Sequence, residues 1–297
     1  MVLGSCIGAC PVCGGEPRPI GVIAGLRVAE CGSCGLCFCV DIPPSVSPSA
    51  GDRSTETDEC YTQNLLFQSD RKRQRYEELA AHRFAYYRAL VGPRPRILEV
   101  GCGTAGLAQP LTLLGAEYVG VDLDHRVIAH APTGDDISVF VADVFDMNEH
   151  SGFDVVIASQ VLEHVIDPVG FASHLASLLR PGGILHLDVP NHASLAGLPS
   201  RWCRLGRKAR FGGIVPPHHC FSYRSSTLKR LLSPWFDARV FTADSLDPCF
   251  GQVGPWSRPA ETYFHLSRRL RIGNLLVAIG TRRVDRASPS AHLDGAL

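Results

Sequence analysis

The chain has 297 residues, with 29 Lys and Arg against 29 Asp and Glu, so its formal net charge is zero. That balance argues against a partner held by bulk charge, whether nucleic acid or an acidic membrane surface. No apolar run approaches the roughly 18 residues that span a bilayer. Apolar residues make up 45% of the chain, enough for one large or two modest domains.

Residues 1–11 lack a basic n-region and a cleavage site, so no signal peptide is expected. The 12 cysteines cluster near the start and are otherwise scattered singly. That distribution suits a metal site plus reduced core thiols in a cytoplasmic protein, not a secreted disulfide framework. Cys10-Pro-Val-Cys13-Gly14 and Cys31-Gly-Ser-Cys34-Gly35 are two CxxC knuckles, each trailed by a glycine. Four thiolates in this pattern complete a closed tetrahedral zinc site, structural because no coordination position is left open. Cys6, Cys37 and Cys39 lie close enough to replace one of the four. Between the knuckles, Ile20 to Glu30 alternates as a short hairpin does. The zinc-binding module is expected over 1–45.

Residues 46–69 are rich in Pro, Ser, Asp and Thr and read as a linker, with Tyr61 and Phe67 as its anchors. Asp70 is placed to cap a helix to about Val91, with Tyr76, Leu79, Ala80, Phe84, Tyr87 and Leu90 along one face. From Arg96 the chain alternates strands and helices: strands at 96–100, 118–122, 137–141, 153–159 and 184–189, and helices at 106–114 and 162–179. This alternation predicts an α/β domain over 70–284 with a parallel sheet and a ligand crevice at the carboxyl ends of the strands. A helix at 225–232, a strand at 238–243, a short helix at 260–271 and a last strand at 274–282 follow. The loop from Asn191 to Pro217 carries Arg201, Arg204, Arg207, Lys208 and Arg210, which suit an anionic group on a substrate. Residues 285–297 read as a disordered tail.

Gly101-x-Gly103-x-x-Gly106 follows the strand Arg96 to Val100 and satisfies the dinucleotide fingerprint literally. Glu99 argues against a dinucleotide, because a pyrophosphate would meet its carboxylate. A ligand carrying an ammonium group suits that position better. Asp122 ends the second strand about 20 residues on, where an acid accepts from ribose hydroxyls.

Ile97-Leu98-Glu99-Val100-Gly101-Cys102-Gly103-Thr104 resembles the first motif of class I S-adenosyl-methionine-dependent methyltransferases. Gly120-Val121-Asp122-Leu123-Asp124, Ala142-Asp143-Val144, Phe153-Asp154-Val155-Val156 with Val161-Leu162-Glu163-His164-Val165, and Leu179-Arg180-Pro181-Gly182-Gly183 resemble the motifs that follow, in order. The cysteine module ending in Cys34-Gly35-Leu36-Cys37-Phe38, with the Pro217-His218-His219-Cys220-Phe221 segment, resembles a bacterial group with an N-terminal zinc module. The resemblance implies a doubly wound, seven-stranded, mostly parallel Rossmann-like sheet. It also implies methylation of small molecules such as sugars, lipids or natural-product intermediates.

By resemblance, Gly101, Cys102 and Gly103 approach the methionine end of the cofactor and Glu99 supports its amino group. Asp122 takes the ribose, Leu123 packs on the adenine, and Asp143 accepts from the adenine amino group beside Val144. Ser159 and Gln160 lie beneath the transferred methyl, where an Asn/Asp-Pro-Pro-Tyr motif would favour nitrogen acceptors. Its absence favours O-methylation. A hydroxyl acceptor needs its proton removed, and His219 is the expected base, with His218 as the alternative and Tyr223 orienting the acceptor. His164 is the structural rival. An RNA methyltransferase is the competing reading, opposed by zero net charge and the few basic residues of the module. A non-catalytic scaffold is opposed by the intact cofactor motifs.

Overall fold

The structure is a computed structural model, and it describes residues 6–41, 70–148, 151–194, 214, 219–243, 269–270 and 273–284. Two sheets organise it. In the first, Pro17–Ile23 (β1) and Leu26–Cys31 (β2) pair antiparallel as a hairpin. Its two-residue turn, Ala24 and Gly25, has φ of 50° and 82°, the left-handed geometry that matches strand twist. Cys37–Cys39 (β3) pairs with β2.

The second sheet has seven strands. The helix Asp70–Val91 (α1) leads into Arg96–Val100 (β4), Ala108–Leu113 (α2), Glu117–Asp122 (β5), His125–Ile128 (α3) and Ile137–Val141 (β6). Phe153–Ser159 (β7), Pro168–Leu178 (α4) and Leu179–Pro190 (β8) follow. After Phe221–Ser222 (β9) come Ser225–Leu232 (α5), Phe236–Ala243 (β10) and Leu275–Arg282 (β11). The strand order is β10-β11-β8-β7-β4-β5-β6. All pairs from β8 to β6 are parallel, and β11 runs antiparallel to both β8 and β10.

Alternation along the central strands divides the core by face. Ile97, Val155 and Ile157 pack with Leu79, Ala80, Phe84 and Tyr87 of α1 and Leu111 of α2. Leu98, Val156 and Ala158 pack with Phe171 and Leu175 of α4 and Leu228 and Leu231 of α5. Burying each such side chain is worth about 1.5–3 kcal/mol, so both faces must be covered. The chain leaves β4 towards β5 and β6 on one side and returns through β7 and β8 on the other. That reversal opens a crevice at the carboxyl end of β4.

The small sheet is completed from outside the cysteine region. Strand β9 pairs with β3, setting Cys37 opposite Ser222 and Phe38 opposite Phe221, whose rings stack 6.5 Å apart. The Thr227 hydroxyl donates to the Cys34 carbonyl at 2.6 Å, and Arg224 pairs with Glu30 at 2.7 Å. The module is thereby tied to the segment around His219.

Several elements differ from the sequence reading. The expected 162–179 helix is two elements, a 3-10 turn at Leu162–His164 and then α4. Pro168 has no N–H and keeps its predecessor out of the helical region, so the helix restarts there with the Asp167 side chain accepting the Gly170 amide. Leu90 is 53% exposed and Arg83 is buried in the α1 face instead. Strand β8 begins at Leu179 and β10 at Phe236, both earlier than expected. The expected linker, its anchors Tyr61 and Phe67, the basic residues of the 191–217 loop, most of the 260–271 helix and the 285–297 tail lie outside the described residues.

Candidate functional site

Parallel register brings the ends of the strands to one edge: Val100 faces Val121 and Ala158, Asp122 faces Val141, and Ser159 faces Asp188. At this edge the chain leaves β4 through Gly101 and Gly103, both left-handed at φ of 68° and 56°. A side chain at Gly101 would begin 2.6 Å from Val161 Cγ2, and one at Gly106 would enter the ring of Tyr76. Glycine is therefore required at both, once for backbone conformation and once for close approach. The amides of Gly101 and Cys102 donate to the Val121 carbonyl at 2.8 and 3.1 Å. Asp122 anchors the turn: Oδ2 accepts the Gly103 amide at 2.8 Å and Oδ1 accepts the Asp124 amide at 2.9 Å. Burial raises its carboxyl above the usual range, opposed by these amides.

Leu123, beside it, is an exposed apolar side chain. Asp143 caps a 3-10 turn, Val144–Asp146, by accepting the Phe145 amide at 3.0 Å, and Val144 is buried behind it. An apolar surface flanked by two acids can hold a nucleoside.

Deeper in the crevice lies a set of buried charges. Glu99 accepts the Tyr118 hydroxyl at 2.5 Å, and burial pushes its carboxyl up to about 7 despite that bond. Arg83 and Asp188 are about as buried, at 5% and 4% exposure. Their contact is long, 3.6 Å, and Arg83 reaches Ser159 Oγ only at 3.5 Å. Among the described residues, Arg83 Nε and Asp188 Oδ2 have no hydrogen-bond partner. Gln160, at φ 57°, donates its side-chain amide to Asp188 Oδ1 and its backbone amide to the Asp188 carbonyl, both at 2.9 Å. Two carboxyls and a guanidinium with spare hydrogen-bonding capacity match the ammonium and carboxylate of an amino acid.

The opposite wall is the 3-10 turn and the segment before β9. The Cys220 amide donates to the Glu163 carbonyl at 3.1 Å, which brings His219 against His164, ring centroids 4.8 Å apart and edge to face. Glu163 is fully buried, and desolvation raises its carboxyl to about 8. Tyr223 does not face an acceptor: it is fully buried, and its hydroxyl is directed at the Leu162 carbonyl at 3.4 Å. It braces the turn instead. His218 lies outside the described residues. His164 sits in the 3-10 turn and belongs to this wall, not to a helix.

In the small sheet, Cys10, Cys13, Cys31 and Cys34 converge with their sulfurs within 4.8 Å of one another. Cys10–Cys34 and Cys13–Cys31 approach to 3.5 and 3.4 Å. A tetrahedral ion with Zn–S bonds of about 2.3 Å separates its sulfurs by about 3.8 Å, so the donor set fits zinc. Burial pushes the Cys31 thiol up, but the amides of Cys34 and Ser33 and the neighbouring thiols outweigh it and bring it to about 6. Cys37 and Cys39 are buried with Cys220 in the joint to β9, and Cys6 bridges to Asp41 at the edge.

The methyltransferase-domain family model matches residues 69–234, more than half of the chain. The chain belongs to this methyltransferase family. The chain is 38% identical over 101 residues to the ubiquinone biosynthesis O-methyltransferase of Bradyrhizobium sp. (strain ORS 278), covering 32% of this chain and 40% of the relative. A protein of the same name from Rhodopseudomonas palustris (strain TIE-1) is 38% identical over 95 residues, covering 30% and 38%. The match thus spans about 40% of the length of these curated relatives. The fold is similar to that of the plantazolicin methyltransferase BpumL in complex with SAH, at 17% identity and a TM-score of 0.53, covering 80% of this chain and 95% of that one. A chain in the complex of the Haloferax volcanii Trm112 methyltransferase activator with a putative methyltransferase is similar at 14% identity and TM-score 0.53, covering 77% and 97%.

Within this methyltransferase domain, sequence reasoning missed Arg83, Asp188 and Glu163. Arg83 carries a helical signal, since it falls between Ala80 and Phe84 on the buried face. Asp188 interrupts an apolar strand four residues after Ile184. No helix of the described residues is long and apolar enough to cross a membrane.

Proposed function

We propose that the protein transfers a methyl group from S-adenosyl-methionine to a hydroxyl of a small-molecule acceptor (a sugar, lipid or natural-product intermediate), with His219 as base. The observation that carries this reading is the buried set Glu99, Arg83 and Asp188 beside a glycine turn clamped by Asp122. Glu99 and Asp188 take the ammonium of the methionine moiety and Arg83 its carboxylate, supported by the unspent Arg83 Nε and Asp188 Oδ2. Asp122 takes the ribose hydroxyls, Leu123 covers the adenine, and Asp143 accepts from the adenine amino group beside Val144. Cys102 backs the loop, and Ser159 and Gln160 floor the methyl. When bound, the cofactor supplies a methyl group already activated by positive sulfur.

What this chain must add is alignment and proton removal. Holding an acceptor in line at near contact accounts for about 7–11 kcal/mol of barrier. His219 is half-buried and its ring meets that of His164, which supports it as the group that takes the proton. His219→Ala should slow methyl transfer by about 10²–10⁴ and leave cofactor affinity near wild type. An unchanged single-turnover rate with labelled cofactor would make His219 a pocket wall. O-direction is supported by the O-methyltransferase names of the curated relatives. The basic residues from Arg201 to Arg210 favour an anionic acceptor.

Glu99 makes binding pH-dependent. Its carboxyl in the free protein titrates at about 7 because it is buried. An ammonium ligand favours the ionised form, so binding releases a proton below that pH. Cofactor affinity should rise with pH through about 7 and level off above it. Glu99→Gln should flatten that rise in calorimetry across the same range.

Cys10, Cys13, Cys31 and Cys34 hold a structural zinc in this reading. The closed four-thiolate set leaves the ion no catalytic position.

A further inference from the structure

We propose that Glu163, His164 and His219 form a second divalent-cation site at the methyl-transfer edge, separate from the four cysteines. The three residues each offer a ligand atom, and these atoms lie within 4.8 Å of one another. They come from two distant stretches of chain joined by the Cys220 amide on the Glu163 carbonyl at 3.1 Å. The second, independent observation is Glu163 itself: it is 0% exposed, and among the described residues neither carboxylate oxygen has a hydrogen-bond partner. A buried carboxylate without donors is a group whose partner is an ion or water. The two imidazoles beside it are half-buried, so the cluster is not sealed from solvent.

The donor set selects the class of ion. Two imidazoles and one carboxylate suit zinc, manganese, iron or cobalt, whereas magnesium and calcium prefer oxygen ligands. Cis ligands on such an ion stand about 3.0–3.5 Å apart, and rotation of the two imidazoles closes the remaining gap. Three protein ligands leave positions open for an oxygen of the acceptor.

The site lies within one turn of the cofactor loop, because Val161, two residues before Glu163, packs against Gly101. Its chemical role rests on the methyltransferase reading, but its existence does not. In the cation-free protein His219 is the base. With an ion in place its nitrogen is a ligand, and the ion lowers the pKa of the acceptor hydroxyl. The hydroxyl proton then leaves to solvent, the oxygen–carbon bond forms as the carbon–sulfur bond breaks, and that electron pair stays on sulfur.

The test is titration of the full chain with Co²⁺, whose visible spectrum separates thiolate from nitrogen and oxygen coordination. Wild type should bind two equivalents, one with intense thiolate charge-transfer bands and one with weak bands only. Glu163→Gln should lose the second equivalent, and His164→Ala should weaken it at least about tenfold, a loss of the size that follows removal of a metal-site residue. The thiolate spectrum and S-adenosyl-methionine binding should persist in both variants, which shows that they fold. A single equivalent in wild type, or a second one indifferent to both substitutions, overturns the proposal. A second equivalent in a protein that binds no S-adenosyl-methionine would sustain the site and sink the methyltransferase reading.

Discussion

Gly101→Arg should abolish S-adenosyl-methionine binding while leaving the zinc content of the protein unchanged. Two independent costs fall on this one position. The backbone is left-handed at φ 68°, where any residue with a Cβ loses about 1–2 kcal/mol. The first carbon of the side chain would also begin 2.6 Å from Val161 Cγ2, and Val161 sits in the turn that carries Glu163 and His164. The guanidinium would then occupy the crevice where the ligand must meet the loop. The four cysteines lie at and beside the small sheet, with Cys31 ending β2, and should keep their ion. Calorimetry with the cofactor and metal analysis of the same sample check both halves. Affinity surviving within tenfold would mean that the ligand lies elsewhere than on this turn.

Cys31→Ser should release the zinc and, with it, most of the methyl transfer, while cofactor affinity stays within a few-fold. A structural zinc contributes about 10–16 kcal/mol of apparent binding energy to a small module, far more than the hairpin of β1 and β2 can replace. The consequence reaches the acceptor side because β3 pairs with β9 and the Cys34 carbonyl accepts the Thr227 hydroxyl. Loss of that order displaces His219, which lies two residues before β9. A displacement of about 1 Å at a reacting group costs about 10²-fold in rate. The proposed cofactor residues lie on α1, at the ends of β4, β5 and β7, on β8 and at the 3-10 turn Val144–Asp146, and they share none of these contacts. Metal analysis, thermal unfolding and turnover on one preparation test the split. Full activity in a zinc-free variant would refute the coupling.

The parts of the fold that were legible in the sequence are those set by local chemistry. Apolar runs closed by an acid or a glycine marked β4 and β5, an apolar run ending at Ser159 marked β7, and the paired CxxC knuckles marked a site whose sulfurs do converge. What escaped was decided by distant packing. Arg83 sits among apolar residues of α1 and is turned inward by Asp188, more than 100 positions away in the chain. The pairing of β3 with β9 depends on two short segments that carry no periodicity of their own. Tyr223, expected to orient an acceptor, is fully buried with its hydroxyl on the Leu162 carbonyl, a contact set by a turn 61 residues away. The helix drawn through 162–179 ignored the rule that the residue before a proline leaves the helical region, which Asp167 obeys. Glu163 was passed over for its neighbour His164, since nothing local says that a glutamate is buried without a partner.

Titration of the wild-type protein with S-adenosyl-methionine and with its demethylated product by calorimetry tests the central claim most directly. The account predicts one site per chain for each ligand, with affinity that rises with pH up to about 7 as Glu99 ionises. Failure of both ligands to bind a zinc-replete, folded protein above that pH would contradict it.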